Sequence, residues 1–400
     1  MKFGIIRERK TPPDRRVVLS PKACQKVLET YAAAEIVTEP SSIRVFTDEE
    51  YREAGIEVAS KMEECDVLFG VKEVPIDALI PDKKYFFFSH TIKKQPYNRK
   101  LLQAILKNNI ELYDHEVITD RKGIRLVAFG RYAGIVGAYN GFRAYGLKSD
   151  LYQLPKASEL VDQEALIKQL SALQLPNIKV LITGKGRVGN GAREMLDGMG
   201  LTEVGVDAYL NETFDEAVYC QIDVDEYNLR KDDSPGNMQD FFDHPGDYRS
   251  NFMRFARVTD LYMACHFYAA GAPYLYTRQD AKQPDFNIRV VADISCDVDG
   301  PVASTLRAST IADPIYGYHA QSETEVGYKD PNAIAVMAVD NLPAELPRDA
   351  SRGFGATFIQ SVIPAFFNDD ADGVLQRARM TQHGKLTERY SYLQDYVDEG

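Results

Sequence analysis

Short apolar runs alternate with amphipathic stretches through the first third of the chain. Residues 3–6, 35–37, 66–71, 85–89 and 110–113 read as strands. Between them, Ser20 followed by Pro21 marks a helix start, an N-cap residue with proline at the first helical position. Residues 98–108 carry Leu101, Leu102, Ile105 and Leu106 at helical spacing. This alternation predicts an α/β fold built on largely parallel sheets.

A second α/β region begins near Ile178. Residues 178–183 read as a buried strand leading into Gly184-Lys185-Gly186-Arg187-Val188-Gly189, and a helix follows through Ala192, Met195, Leu196 and Met199. Further strands are expected at 261–265 and 289–293, and helical patterns from 332 to the C-terminus. Residues 211–260 look like an insertion, with Pro235-Gly236 and Pro245-Gly246 marking turns. Gly130, Gly134, Gly137, Gly141 and Ala144 form a small-residue stripe at helical spacing, which suits close helix packing.

The chain has 400 residues, enough for two or three domains, and a net charge of −12. An acidic chain is a poor partner for nucleic acid or an anionic membrane, so a small molecule is the expected partner. The charge is unevenly spread. Residues 201–250 hold 13 acidic and 3 basic side chains, whereas 81–100 hold 6 basic and one acidic. Five scattered cysteines without a CxxC pair suggest neither a zinc site nor a disulfide framework. The first apolar run is too short for a secretory h-region, so a reducing cytoplasm is the expected compartment.

The glycine-rich segment has the setting of a dinucleotide fingerprint. It follows a strand and opens a helix, and Asp207 comes 18 residues after the last glycine, where a second strand is expected to end. Gly184 would allow the tight turn, Gly186 close approach to the pyrophosphate, and Gly189 close packing of helix on strand. An acid at Asp207 would accept ribose hydroxyls and repel a 2′-phosphate, which favours NAD, with NADP not excluded. Asp223, after residues 217–222, is the alternative ribose ligand.

Two further segments place a titratable group after a strongly apolar strand: Lys72 after residues 66–71, and His90 after Phe86-Phe87-Phe88-Ser89. Parallel-sheet folds bind ligands at such strand ends. A partly desolvated lysine gives up its proton more readily, and histidine is the side chain that ordinarily titrates near neutrality.

The motifs Lys72-Glu73-x-Pro75, Ser89-His90-x-x-Lys93, Leu112-Tyr113-Asp114-x-Glu116 and Arg125-x-x-Ala128-Phe129-Gly130-x-Tyr132-Ala133-Gly134 carry a resemblance. So do Arg15-Arg16-Val17-Val18-Leu19-Ser20-Pro21 and the segment from Val339-Asp340-Asn341-Leu342-Pro343 to Ser351. Together the chain resembles the saccharopine dehydrogenase branch of the alanine dehydrogenase and transhydrogenase superfamily over about residues 1–365.

The resemblance implies two Rossmann-like, doubly wound parallel-sheet domains with a cleft between them. Residues 1–140 plus 332–400 would hold substrate and residues 141–331 NAD. It implies Lys72 as general base and His90 as acid–base residue. Arg16, Gln95, Arg125 and Phe129 would contact substrate, and Glu73 and Glu116 would tune the pair. Ser295, Cys296 and Asp297 would face substrate. The cofactor would meet Gly184, Gly186, Arg187, Val188, Gly189, Asp207, Ile294, Val339, Asp340, Asn341 and Leu342. No metal is expected. Ile124, Asn211 and Phe267 depart from the family pattern near the cofactor. The implied reaction is NAD-dependent oxidation of a saccharopine-like secondary amine, or its reverse. Alanine or other opine-type dehydrogenation and a non-enzymatic dinucleotide or amino-acid sensor are the alternatives.

Overall fold

Burial along the strands explains the first sheet. Val67–Phe69 is buried throughout and Lys84–Phe87 at three of its four positions, as expected for parallel strands covered on both faces. The computed structural model describes residues 1–399 and divides into two units, residues 1–129 with the segment from 347 onward, and residues 130–346.

The first unit is built on β1 (Lys2–Ile5), β2 (Glu35–Thr38), β3 (Glu57–Val58), β4 (Val67–Phe69), β5 (Lys84–Phe87) and β6 (Glu111–Asp114). Their order is β3-β2-β1-β4-β5-β6, and every pairing is parallel. The strand order reverses beside β1, so the carboxyl ends of β1 and β4 form a switch point, where such sheets bind ligands. The Pro21–Thr30 helix starts as its sequence predicts, with the Ser20 hydroxyl accepting from Ala23 N at 3.3 Å. The C-terminal segment is integral to this unit. The Pro347–Ser361 helix brings Gly355 so near Val18 that a Cβ there would lie 2.9 Å from the Val18 carbonyl oxygen. Further on, Met380 N donates to Leu112 O at 2.8 Å.

The second unit is built on β7 (Lys179–Thr183), β8 (Thr202–Glu203), β9 (Val218–Ile222), β10 (Asn228–Arg230), β11 (Tyr248–Ser250), β12 (Leu261–Ala264), β13 (Val290–Asp293), β14 (Ile315–His319), β15 (Thr324–Val326) and β16 (Ala333–Met337). The main sheet runs β15-β14-β16-β13-β12-β7-β9-β8, parallel except at β14 and β15. Its order reverses beside β7, the strand that feeds the glycine-rich turn.

Three expectations need correction. The first unit ends at 129 rather than 140, because Gly130–Ser149 is one continuous helix of the second unit. It resumes at 347 rather than 332, because residues 333–337 form the buried strand β16 beside β13 and not a helix. The stretch 211–260 is only partly an insertion. It contains β9, which lies next to β7 in the main sheet. The true excursion is the β10–β11 hairpin with its short helices, anchored by buried Phe241, Tyr248, Phe252 and Phe255. Part of its acidity is spent internally, on Arg230 paired with Asp232 and Asp240 and Arg249 with Asp233.

Candidate active site and dinucleotide site

Four strand ends of the first unit bring titratable groups together. Glu8 follows β1, Lys72 follows β4, His90 follows β5, and Glu116 follows β6. The Glu8 carboxylate accepts from Val71 N at 2.7 Å and Lys72 N at 2.8 Å, which ties the Lys72 turn to the first strand. Burial pushes the Glu8 carboxyl up to about 8, against the pull of these donors.

Lys72 has its amine pKa lowered, first by burial and then by the Arg16 guanidinium, with Asp14 opposing. Arg16 is buried and forked onto Asp14 through Nε at 3.0 Å and Nη2 at 2.6 Å. Burial would raise the Asp14 carboxyl, but Arg16 outweighs it and holds it low. The guanidinium also sits over the Phe129 ring at 4.3 Å, and Phe129 stacks on Phe354 at 4.6 Å.

The His90 imidazole lies between two carboxylates. Nδ1 is 3.6 Å from Glu116 Oε2, and Nε2 is 4.0 Å from Glu73 Oε1. Each carboxylate also has a lysine beside it. Lys10 Nζ donates to both Glu73 oxygens at 2.8 and 2.7 Å, and Lys93 Nζ stands 3.9 Å from Glu116. Burial would raise Glu116, but His90 and Lys93 outweigh it and hold the carboxyl below its usual range. His90 itself adopts a left-handed backbone conformation, φ 54°, ψ 19°.

Arg125 packs over Phe88 at 5.3 Å and its Nε donates to Val127 O. Gln95 lies on the loop after His90, its Oε1 accepting from Tyr97 at 2.7 Å. The first unit therefore assembles Lys72, His90, Glu73, Glu116, Arg16, Arg125 and Phe129. Sequence reading missed Glu8, Lys10, Asp14 and His115, and gave Asp114 as a motif residue without a role. Glu8 carried a usable signal, since it follows a strand end as Lys72 does.

In the second unit two glycines of the fingerprint, Gly184 and Gly189, have a steric reason. Gly184 adopts φ +92°, and a Cβ there would lie 2.9 Å from Cys265 O. A Cβ on Gly189 would lie 1.8 Å from Gly184 O, so only glycine lets the Arg187–Gly198 helix approach the turn. A Cβ on Gly186 would meet nothing within 4 Å, which leaves an open approach at the helix N-terminus. These residues fit a dinucleotide pyrophosphate. Arg187 is exposed and Val188 half-buried at the start of that helix.

The small-residue stripe packs helix on helix. A Cβ on Gly134 would stand 1.9 Å from Val188 O, and one on Gly191 2.1 Å from Arg131 O. Ile294 fills the space over Gly137, and Val339 and Leu342 are buried beside the exposed Asp340 and half-buried Asn341. Asp207 does not end a strand. It is exposed on the Val206–Asn211 helix, where Asn211 Nδ2 donates to its carboxylate. The residue that follows the strand beside β7 is Asp223, and Gly184 N donates to Ile222 O just before it.

Ser295, Cys296 and Asp297 follow β13 in this second unit. Ser295 Oγ and Cys296 N donate to buried Asp293, and burial pushes the Cys296 thiol up to about 12, so it stays protonated. Among the described residues, no helix is long and apolar enough to cross a membrane, and no cluster of His, Cys, Asp and Glu could hold a metal ion.

Residues 4–136 match the family model of the alanine dehydrogenase/PNT N-terminal domain. The chain is 27% identical to an alpha-aminoadipic semialdehyde synthase of Arabidopsis thaliana, over 98% of this chain and 41% of that protein. A mouse mitochondrial enzyme of the same name is also 27% identical, over 95% of this chain and 46% of its own length. The chain thus spans less than half the length of these relatives. A saccharopine dehydrogenase [NAD(+), L-lysine-forming] of Yarrowia lipolytica is 25% identical, over 90% of both chains. Among solved structures, an L-alanine dehydrogenase superposes with TM-score 0.66 at 17% identity, covering 99% of this chain and 100% of that one. A transhydrogenase from Sinorhizobium meliloti gives 0.59 at 15%, covering 97% and 99%. These neighbours share the Rossmann-like α/β fold.

Proposed function

We propose that this chain, whose residues 4–136 match the alanine dehydrogenase/PNT N-terminal domain, is an NAD-dependent oxidoreductase of a saccharopine-like secondary amine. In one direction saccharopine, NAD and water give lysine, 2-oxoglutarate and NADH; in the other lysine and 2-oxoglutarate are condensed with loss of water and reduced by NADH. The observation that carries this reading is the pairing in one unit of a desolvated lysine, Lys72, with a histidine held between two carboxylates, His90. Relatives named for saccharopine and aminoadipic semialdehyde chemistry support the substrate class.

Bound NAD supplies a hydride acceptor. Residues of the chain do the rest. Lys72, with its pKa lowered by burial, is neutral more readily than an ordinary lysine and takes the proton of the substrate amine as the neighbouring carbon loses hydride. His90 then activates water for attack on the resulting imine, with Glu116 and Glu73 stabilising the imidazolium that forms. The same histidine returns the proton as the carbinolamine collapses. The substrate carboxylates face a basic lining to which Arg16, Arg125 and Lys93 contribute. Gly184, Gly186, Gly189 and the helix N-terminus at Arg187 would hold the pyrophosphate. Asp223, rather than Asp207, would take the ribose hydroxyls. The five cysteines are unpaired, which suits the cytoplasm as the compartment.

The test follows reduced-nicotinamide absorbance with saccharopine plus NAD, with lysine plus 2-oxoglutarate and NADH or NADPH, and with alanine plus NAD. Turnover of the saccharopine couple is expected. Turnover of alanine alone would move the chain to the simpler amino-acid dehydrogenases, and silence in every assay would overturn the reading.

A further inference from the structure

Strand β6 ends at Asp114 and passes directly into the turn His115-Glu116, and each of the three residues reaches a different part of the site. Glu116 meets His90 directly. The other two act one step back. Asp114 is fully buried; its Oδ2 accepts from both Ser89 N, at 2.8 Å, and Ser89 Oγ, while its Oδ1 accepts from Glu116 N at 2.7 Å. Ser89 is further tied by Asn98 Nδ2, which donates to its carbonyl at 2.8 Å, and by the Thr91 hydroxyl at 2.8 Å. Every polar group of the residue before His90 is therefore engaged. This matters because His90 occupies the left-handed region, φ 54°, which a side-chain-bearing residue keeps only where its surroundings over-determine it.

His115 does the same for the other strand end. Its Nε2 lies 2.9 Å from Gly70 O, and a carbonyl can only accept, so Nε2 carries the proton. The ring is buried among Phe88, Phe354 and Phe358. Burial lowers its pKa to about 3, which keeps it neutral and in that tautomer. Gly70 lies two residues before Lys72, whose turn is held from the opposite side by Glu8.

We propose that Asp114 and His115 are positioning residues: Asp114 locks the backbone that aims His90, and His115 locks the strand end that aims Lys72. One tripeptide thereby sets the acid–base pair in register. The proposal rests on the reading of Lys72 and His90 given above.

The test uses the full chain with Asp114→Asn, Ser89→Ala, His115→Leu and His115→Gln, each checked for a native melting transition. Asp114→Asn and His115→Leu are expected to lower kcat about tenfold or more while the amino-substrate KM and NAD affinity stay near wild type. His115→Gln keeps a donor toward Gly70 and is expected to restore most of the rate. Ser89→Ala serves where Asp114→Asn fails to fold.

The second readout is independent of turnover. The chain has six histidines, and the His90 ring resonances, identified by their loss in His90→Gln, are compared between variants at one pH. The groups facing the ring are Glu73 and Glu116, with Lys10 and Lys93 beside these carboxylates. Asp114→Asn or Ser89→Ala is expected to displace the His90 ring resonances from their wild-type positions. Unmoved resonances together with unchanged kcat overturn the proposal, as does a His115→Gln variant no better than His115→Leu. If wild-type protein turns over none of the substrates, the functional reading fails, and the resonances alone decide the Asp114 lock.

Discussion

The buried Glu345 carboxyl accepts a 2.9 Å hydrogen bond from Asn140 Nδ2 on the Gly130–Ser149 helix, joining two segments 205 residues apart in the chain. Burial pushes this carboxyl up to about 7, against the opposing influence of Asn140, Arg143 and Lys156. A carboxyl whose folded value is raised stabilises the fold fully below its unfolded value and loses that contribution as pH rises through the folded one. Glu345→Gln keeps the acceptor for Asn140 and removes the ionisation. The variant should melt close to wild type at pH 4.5 and above it at pH 8, by on the order of 2 kcal/mol. A melting difference independent of pH would show that Glu345 does not ionise in this range.

Gly134 tests the helix contact in the second unit. An added Cβ would stand 1.9 Å from Val188 O and 2.7 Å from Ala192 N, both backbone atoms that cannot step aside. Gly137→Ala meets only the Ile294 side chain, at 2.4 Å, which can change rotamer. Gly134→Ala should therefore cost at least the upper end of the roughly 1–3 kcal/mol typical of overpacking, and Gly137→Ala clearly less. Equal melting temperatures for the two variants would contradict this packing.

Lys72→Met and His90→Gln should each lower turnover of the saccharopine couple by about 10²-fold or more. The oxidative rate of wild type should rise with pH as Lys72 loses its proton, at a pH below the ordinary lysine value because the amine is buried beside Arg16. Lys72→Met should lose that limb of the pH profile. A retained limb would assign it to another group, and the candidate is Glu8, whose carboxyl lies near about 8.

The parallel core of each sheet and the strand-end placement of Lys72 and His90 were legible in the apolar runs, because buried parallel strands read as uninterrupted hydrophobic segments. The glycine fingerprint was legible from its spacing between strand and helix; Gly184 and Gly189 answer backbone contacts, and Gly186 leaves open space. What escaped was set by tertiary pairing. Residues 333–337 are apolar and short, and only their place beside β13 makes them a strand. Val218–Ile222 fell inside the expected insertion and was given only as the alternative second strand, because the edge strand β8 is just two residues long and the neighbour of β7 comes later in the chain than the usual spacing implies. That displacement also led to Asp207. His115 occupied an unassigned position between two motif residues, and its role depends on a contact with Gly70, 45 residues away.

The same displacement yields a test of cofactor choice that does not depend on the amino substrate. Asp223 begins where β9 ends beside the Gly184 turn, and it also caps the Val224–Tyr227 helix by accepting from Val224 N. Alanine would remove both functions, so Asp223→Ser is the sharper variant, since serine retains capping without charge. Calorimetric titration with NAD and NADP should show its preference for NAD fall by about tenfold, some 1.4 kcal/mol. Asp207→Ala, altering an exposed helix residue, should leave the preference unchanged. Gly186→Ala completes the set. Its Cβ would meet no protein atom within 4 Å, so stability should hold, while approach of the pyrophosphate is hindered and both dinucleotides bind more weakly. A Gly186→Ala variant that binds NAD as wild type does would place the pyrophosphate elsewhere. A preference lost in Asp207→Ala instead of Asp223→Ser would return the ribose to the helix.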